Sequence, residues 1–174
     1  GLDGTCMQMR EDGWREAMTG TVSLYNKNGE RLHTTYVAGS PEYGKEKFIN
    51  KLDHAVINIK NNFPKAKTVG LADGAKSNWP FLEKHTDYQV LDFYHATEYL
   101  GEYSRVIYKD IEEQKNWMDN ACHELKNEKG SAGKLLKFFK KELLNKHIKA
   151  DRKVIESTAT YFKNNLVRMN YSKM

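Results

Sequence analysis

The stretch of the sequence that decides the fold is residues 68–92, which read TVGLADGAKSNWPFLEKHTDYQVLD. Thr68 to Ala72 and Tyr88 to Leu91 are short apolar runs with the length of strands, and Phe81 to Lys84 between them predicts a short helix. An aspartate follows each of the two runs. This order of strand, helix and strand indicates an α/β protein with acidic groups at the ends of its strands.

Three further strands are predicted upstream, over Leu2 to Met9, Glu16 to Tyr25 and Leu32 to Val37. They are rich in Thr, Val, Tyr and Met, and turn signals containing Asp-Gly and Asn-Gly pairs separate them. Such spacing is typical of a three-strand antiparallel meander. A helix follows, with Ser40 as its N-cap, a proline at its first position and apolar residues at helical spacing from Phe48 to Phe63.

After the fifth predicted strand the pattern becomes helical, with helices expected over 94–127, 132–149 and 151–167. The complete element order is that of the ribonuclease H-like fold with an all-α insertion after its fifth strand. On this interpretation residues 1–105 form the ribonuclease H-like catalytic core and residues 106–174 form the helical insertion segment.

The composition of the 174-residue chain is that of a globular protein, with 39% hydrophobic and 29% charged residues. It has no apolar run long enough to cross a bilayer and no secretory signal, which predicts a cytoplasmic protein with no membrane partner. Charge is uneven, because residues 126–174 carry thirteen Lys and Arg against four acids while residues 1–125 carry fifteen against nineteen. The basic end predicts a polyanionic partner, and the acidic remainder suggests a metal-binding cluster.

Asp3 and Asp73 are the candidate metal ligands. The first and fourth strands of a ribonuclease H-like sheet are neighbours, so this layout brings the two carboxylates together although seventy positions separate them. Two crowded carboxylates repel each other unless a cation holds them, and magnesium prefers such oxygen ligands. Each aspartate also has a structural explanation, because Asp-Gly pairs are common turn formers.

Asp92 and His95 form an Asp-x-x-His pair directly after the fifth strand. The pair can be explained as a helix cap with a buried histidine, or as groups that support a nearby metal site. The sequence leaves both explanations open.

Five short blocks of the sequence form a recognisable set. They are Leu2-Asp3-Gly4-Thr5, Ala72-Asp73-Gly74-Ala75 with Trp79 after it, Leu91-Asp92-Phe93-Tyr94-His95-Ala96, Tyr161-Phe162-Lys163-Asn164-Asn165 and Arg168-Met169-Asn170-Tyr171. Together they resemble the DDE transposases of bacterial insertion sequences, in the group related to the Mutator superfamily. The similarity extends over nearly the whole chain.

The resemblance implies an enzyme that cuts DNA and joins it to a target with two magnesium or manganese ions. Asp3 and Asp73 would be its first two metal-binding acids, and Asp92 and His95 would have a supporting role. The resemblance also implies a bacterial, nucleoid-associated protein that assembles as a homo-oligomer on the element ends and the target.

The third metal-binding acid of such transposases is a glutamate after a Gly-Ser-Gly block, which follows the segment similar to Arg168 to Tyr171. This block is expected beyond Met174, so the chain is interpreted as an internal fragment that ends before the final catalytic helix and is inactive by itself. Glu156 is a weaker substitute, because its surroundings lack the glycines and a solvated carboxylate on a helix explains it as well.

Six basic residues are candidates for contacts with DNA phosphates: Lys76, Lys137, Lys140, Lys141, Arg152 and Lys153. Two alternatives remain open at the level of the sequence. One is a ribonuclease H-like nuclease that hydrolyses without strand transfer, and the other is an inactive remnant that only binds DNA.

Overall fold

The computed structural model describes residues 1–11, 13–40, 44–145 and 152–173. The chain divides into two compact units, Gly1–Gln89 and Val90–Met174, which are described separately. None of the helices in the described ranges is long and apolar enough to cross a membrane.

The sheet has five strands, β1 (Leu2–Met9), β2 (Gly13–Tyr25), β3 (Arg31–Gly39), β4 (Val69–Ala72) and β5 (Tyr88–Leu91), in the order β3-β2-β1-β4-β5. The first three strands form an antiparallel meander, and β1 lies parallel to β4. The predicted α/β class and the meander are therefore confirmed, as is the adjacency of the first and fourth strands. β2 and β3 are longer than the sequence predicted.

Two helices accompany the sheet in the first unit, α1 (Gly44–Asn62) and α2 (Trp79–His85). The predicted Ser40 cap precedes residues 41–43, which lie outside the described residues, so its role as a cap stays a prediction. Leu2 and Met18 of the sheet pack against Phe48 and Leu52 of α1 and form the buried core of this unit.

Glycines on the sheet allow α1 to approach it closely. A Cβ added at Gly39 would lie 2.7 Å from the Cβ of Phe48, an atom fixed to the helix backbone. We expect Gly39→Ala to lower the free energy of unfolding by about 1–3 kcal/mol, because overpacking moves the helix or the strand. Chemical denaturation measures this change. Gly133→Ala is the matched control, since its Cβ meets no atom within 4 Å and alanine favours helix; equal effects of both variants would contradict the prediction.

The second unit contains four α-helices in its described part, α3 (Phe93–Ile107), α4 (Ile111–Asn127), α5 (Ser131–Leu144) and α6 (Arg152–Asn165). Two short 3₁₀-helices, Leu166–Arg168 and Tyr171–Lys173, follow α6. The single helix predicted over 94–127 is wrong, because it is two helices. The side chain of Asp110 accepts a hydrogen bond from the Glu113 amide at 3.0 Å and begins α4 as its N-cap. No Gly or Pro marks this break. The predicted continuation of α5 to residue 149 is wrong at Asn145, whose extended backbone ends the helix after Leu144; residues 146–149 lie outside the described ones.

Aromatic rings form the core of the helical unit. Tyr103, Phe139 and Phe162 are fully buried, with ring centroids 4.9 Å apart for the first two and 5.3 Å apart for the last two. Tyr161, next to Phe162, stacks on Tyr99 at 3.8 Å. The block at 161–165 therefore supplies core packing in this unit.

Candidate metal centre

Asp3 and Asp73 directly follow the two residues that pair β1 with β4. Their preceding residues, Leu2 and Ala72, are paired across the parallel strands β1 and β4, and both are buried. Residues in register on neighbouring parallel strands point to the same face and are about 4.8 Å apart. β4 ends at Ala72, and continuing its register by one residue would bring Asp73 beside Asp3, on the face opposite Leu2 and Ala72.

Each of the two carboxylates is oriented by the backbone beside it. Asp3 is exposed, and its Oδ1 accepts a hydrogen bond from the Gly4 amide at 2.7 Å. Asp73 is half-buried, and its Oδ1 accepts one from the Ala75 amide at 2.9 Å, in a turn where Gly74 has a φ of 101°. Asp73 therefore forms the turn that its Asp-Gly pair predicted, and the hydrogen bond within this turn holds its carboxylate at the end of β4.

Asn78 is a member of the site that sequence reasoning missed. It is the N-cap residue of α2, but its side chain makes no capping bond, and its Nδ2 donates to Asp73 Oδ1 at 3.2 Å. Its Oδ1 is buried without a hydrogen-bond partner among the described residues. A buried acceptor left without a donor costs free energy, which a water or cation would recover. The signal in the sequence is an asparagine directly before Trp79-Pro80, which indicates only a helix start.

Lys45 connects α1 to the turn that carries Asp73. Its Nζ donates to Ser77 Oγ at 3.0 Å and pairs with Glu16 of β2 at 3.4 Å. Because these groups are far apart in the sequence, no local pattern predicts the contact. Lys76, in the same turn, is exposed, as expected for a residue proposed to contact phosphate.

The donor set at this edge fits a hard divalent cation. The carboxylates of Asp3 and Asp73 are oxygen ligands of the kind that magnesium prefers, and the Asn78 amide nitrogen holds one of them. Within the described ranges, no group of three or more His, Cys, Asp and Glu side chains is placed to hold a metal ion together.

Asp92 and His95 belong to the helical unit. Asp92 is the N-cap of α3, where its Oδ1 accepts from the Tyr94 amide at 2.8 Å, so the helix-cap explanation is confirmed. The expected buried histidine is only partly buried: the side chain of His95 is 39% exposed, while its Nδ1, 3.4 Å from Asp92 Oδ2, is buried.

Tyr171 adds a second group near Asp92 that the sequence did not single out for a role. Its ring meets Phe93 edge to face at 5.1 Å, and its buried hydroxyl has no hydrogen-bond partner within the described part of the chain. Burial, and then the negative charge of Asp92, raise the pKa of Tyr171. The hydroxyl therefore stays protonated at neutral pH and can serve only as a neutral donor or acceptor.

The basic candidates of the helical unit lie on two helices. Lys137, Lys140 and Lys141 are exposed on α5, whose one acid is Glu142. On α6, Arg152 and Lys153 are exposed, but Arg152 Nε pairs with Glu156 Oε1 at 3.0 Å. Glu156, the substitute for the third acid, is thus an exposed carboxylate paired on its own helix.

Comparison of the chain with protein-family profiles, curated proteins and solved structures gives no match.

Proposed function

We propose that the chain is part of the ribonuclease H-like catalytic core of a DDE transposase, which cleaves DNA strands and joins them to a target. The observation that carries the proposal is the parallel pairing of Leu2 with Ala72, which makes Asp3 and Asp73 neighbours at the ends of two adjacent strands. The order of the five strands and the helical region after β5 also support it.

In this proposal Asp3 and Asp73 hold the cations, and Asn78 keeps the Asp73 carboxylate in a fixed orientation. Bound magnesium ions would stabilise the charge that develops on the attacked phosphodiester. Lys76 is exposed in the turn that follows Asp73 and would contact a DNA phosphate. Such a contact does not distinguish one DNA sequence from another. Cleavage by this chain alone is expected to be weak or absent, since two carboxylates rarely position two ions.

The experiment that tests the proposal is calorimetric titration of Mn²⁺ into the chain and into the Asp3→Asn/Asp73→Asn variant. We expect the chain to bind the ion and the variant to bind it at least about tenfold more weakly, because both anionic ligands are lost.

The matched control is Asp110→Asn/Asp119→Asn, which changes the net charge equally, and asparagine caps a helix as well as aspartate does. Equal heats from the chain and the Asp3/Asp73 variant would show that the acidic pair is structural and would contradict the proposal. Metal-dependent nicking of supercoiled plasmid by the chain itself would place a third acid within these residues.

DNA binding without catalysis is the second candidate function, and the exposed lysines of α5 favour it. It predicts salt-dependent binding to DNA that the Asp3→Asn/Asp73→Asn variant retains in full.

A further inference from the structure

Strand pairing alone does not fix the distance between the carboxylates of Asp3 and Asp73. The described register of β1 with β4 consists of Leu2 with Ala72, where β4 ends. Asp73 therefore lies in the turn that leads to α2, and its position depends on what holds this turn. Side chains of β2 and α1 reach the turn and connect it to β1.

Lys45, in the first turn of α1, contacts both β2 and the turn after β4. Its Nζ lies 3.4 Å from Glu16 Oε2 of β2 and donates a hydrogen bond to Ser77 Oγ of the turn at 3.0 Å. An ammonium group has three donors, so one lysine can hold both acceptors. Because β1 lies between β2 and β4 in the sheet, Lys45 bridges two elements that are not neighbours.

Glu16 brings this bridge close to the residue that follows Asp3. A Cβ added at Gly4 would lie 2.5 Å from Glu16 Oε1 and 2.9 Å from Met18 Sδ. The Glu16 carboxylate therefore occupies the space that a side chain at position 4 would need, while its other oxygen pairs with Lys45. Side chains alternate along a strand, so this carboxylate lies on the face opposite the side chain of Asp3.

Ser77 connects the bridge to the turn that carries Asp73. Within this turn, Asp73 Oδ1 accepts hydrogen bonds from the Ala75 amide at 2.9 Å and from Asn78 Nδ2 at 3.2 Å. These two bonds fix the carboxylate relative to the turn, but they do not fix the turn relative to β1. The bond from Lys45 to Ser77 supplies that second constraint.

The end of α2 is also attached to α1. His85 Nε2 lies 2.8 Å from Asp53 Oδ1, and Lys60 Nζ donates to the His85 carbonyl at 3.1 Å. An α-helix keeps fixed distances along its axis. Since α1 contacts the segment from Ser77 to His85 at both ends, it holds this segment in one position along the helix.

We propose that Lys45 is a positioning residue of the candidate metal centre. By holding Glu16 and Ser77 together, it keeps the turn after β4 at a fixed distance from β1. The carboxylates of Asp3 and Asp73 then have a separation that suits one shared cation. This inference rests on the proposed function, because it requires that the two aspartates bind a cation together.

The test is calorimetric titration of Mn²⁺ into the chain and into Lys45→Met, which keeps an unbranched apolar side chain and removes the ammonium group. Loss of a positive charge would by itself strengthen cation binding. We expect the opposite, binding about tenfold weaker, because groups that hold metal ligands in place affect metal affinity to this extent. Lys45→Arg should bind nearly as tightly as the parent chain, since a guanidinium can donate to both partners.

Lys51→Met is the matched control, because Lys51 is an exposed lysine of the same helix and its loss changes the net charge equally. Its Mn²⁺ affinity should be unchanged or slightly higher. Gly4→Ala tests the other end of the bridge without any change of charge. Its Cβ would displace the Glu16 carboxylate, so binding should again weaken. Thermal unfolding confirms that each variant is folded.

The outcomes separate this inference from the proposed function. Failure of either Lys45→Met or Gly4→Ala to weaken Mn²⁺ binding would overturn the inference, and the proposed function would stand if Asp3→Asn/Asp73→Asn still binds weakly. Equal weakening by Lys51→Met would also overturn the inference, since the effect would not depend on the contacts of Lys45. Absence of Mn²⁺ binding by the parent chain would overturn both.

Discussion

Replacing Lys137, Lys140 and Lys141 together by glutamine is expected to weaken DNA binding roughly a hundred- to a thousandfold at about 50 mM salt. The three side chains are exposed on α5, where Glu142 is the one acid. Each phosphate contact releases condensed counterions, so the slope of log affinity against log salt should fall by about 2.7 when three contacts are lost. Fluorescence anisotropy with a labelled duplex at several salt concentrations measures both quantities.

The matched control removes three exposed lysines from a more acidic part of the same unit, Lys109→Gln/Lys115→Gln/Lys126→Gln. Lys115 and Lys126 lie on α4, which also carries Glu112, Glu113, Asp119 and Glu124. The acidic residues of α4 repel phosphate, so this control variant should change the slope of log affinity against log salt only a little. A triple α5 variant that keeps the slope of the parent would show that the basic face is only solvated.

Phe162→Ala is expected to lower the free energy of unfolding of the helical unit by about 3–5 kcal/mol. Phe162 is fully buried on α6, and its ring packs edge to face on Phe139 of α5 at 5.3 Å. Removing the ring loses its buried apolar surface and leaves a cavity between helices that relax only partly. Chemical denaturation followed by far-ultraviolet circular dichroism measures the change.

Val167→Ala serves as the control for Phe162→Ala, because Val167 follows α6 and is 83% exposed. Its effect should stay within about 0.5 kcal/mol. Similar destabilisation by the two variants would mean that the aromatic core does not stabilise the unit as the ring contacts indicate.

Much of the fold could be predicted because its signals are local. Stretches rich in Thr, Val, Tyr and Met between turn signals marked the first three strands, and short apolar runs marked the other two. The aspartate before Phe93 marked the start of α3, where its side chain accepts a hydrogen bond from the amide of Tyr94. The break before α4 was missed although Asp110 is a comparable cap, because apolar spacing continues on both sides of it. A capping bond is worth about 1 kcal/mol, and nothing in the spacing shows that it interrupts a helix.

The candidate site could be predicted only in part. Asp3 was singled out by its place in the first strand and Asp73 by its place after the fourth, while Asn78 and Lys45 were not singled out. The side chain of Asn78 leaves its capping position and donates to Asp73, and Lys45 reaches Ser77 across 32 positions. Both hydrogen bonds form because packing brings their groups within hydrogen-bonding distance, and no local sequence pattern specifies that packing.

The sequence by itself determined the order of the five strands and of α1 and α2, the places of Asp3 near the start of β1 and of Asp73 after the end of β4, and the basic residues of α5. Neighbouring residues carry these signals. Only the tertiary structure decided that Leu2 pairs with Ala72 and that Asn78 donates a hydrogen bond to Asp73. The physical reason is that strand register and side-chain hydrogen bonds are set by chain segments that meet only after folding.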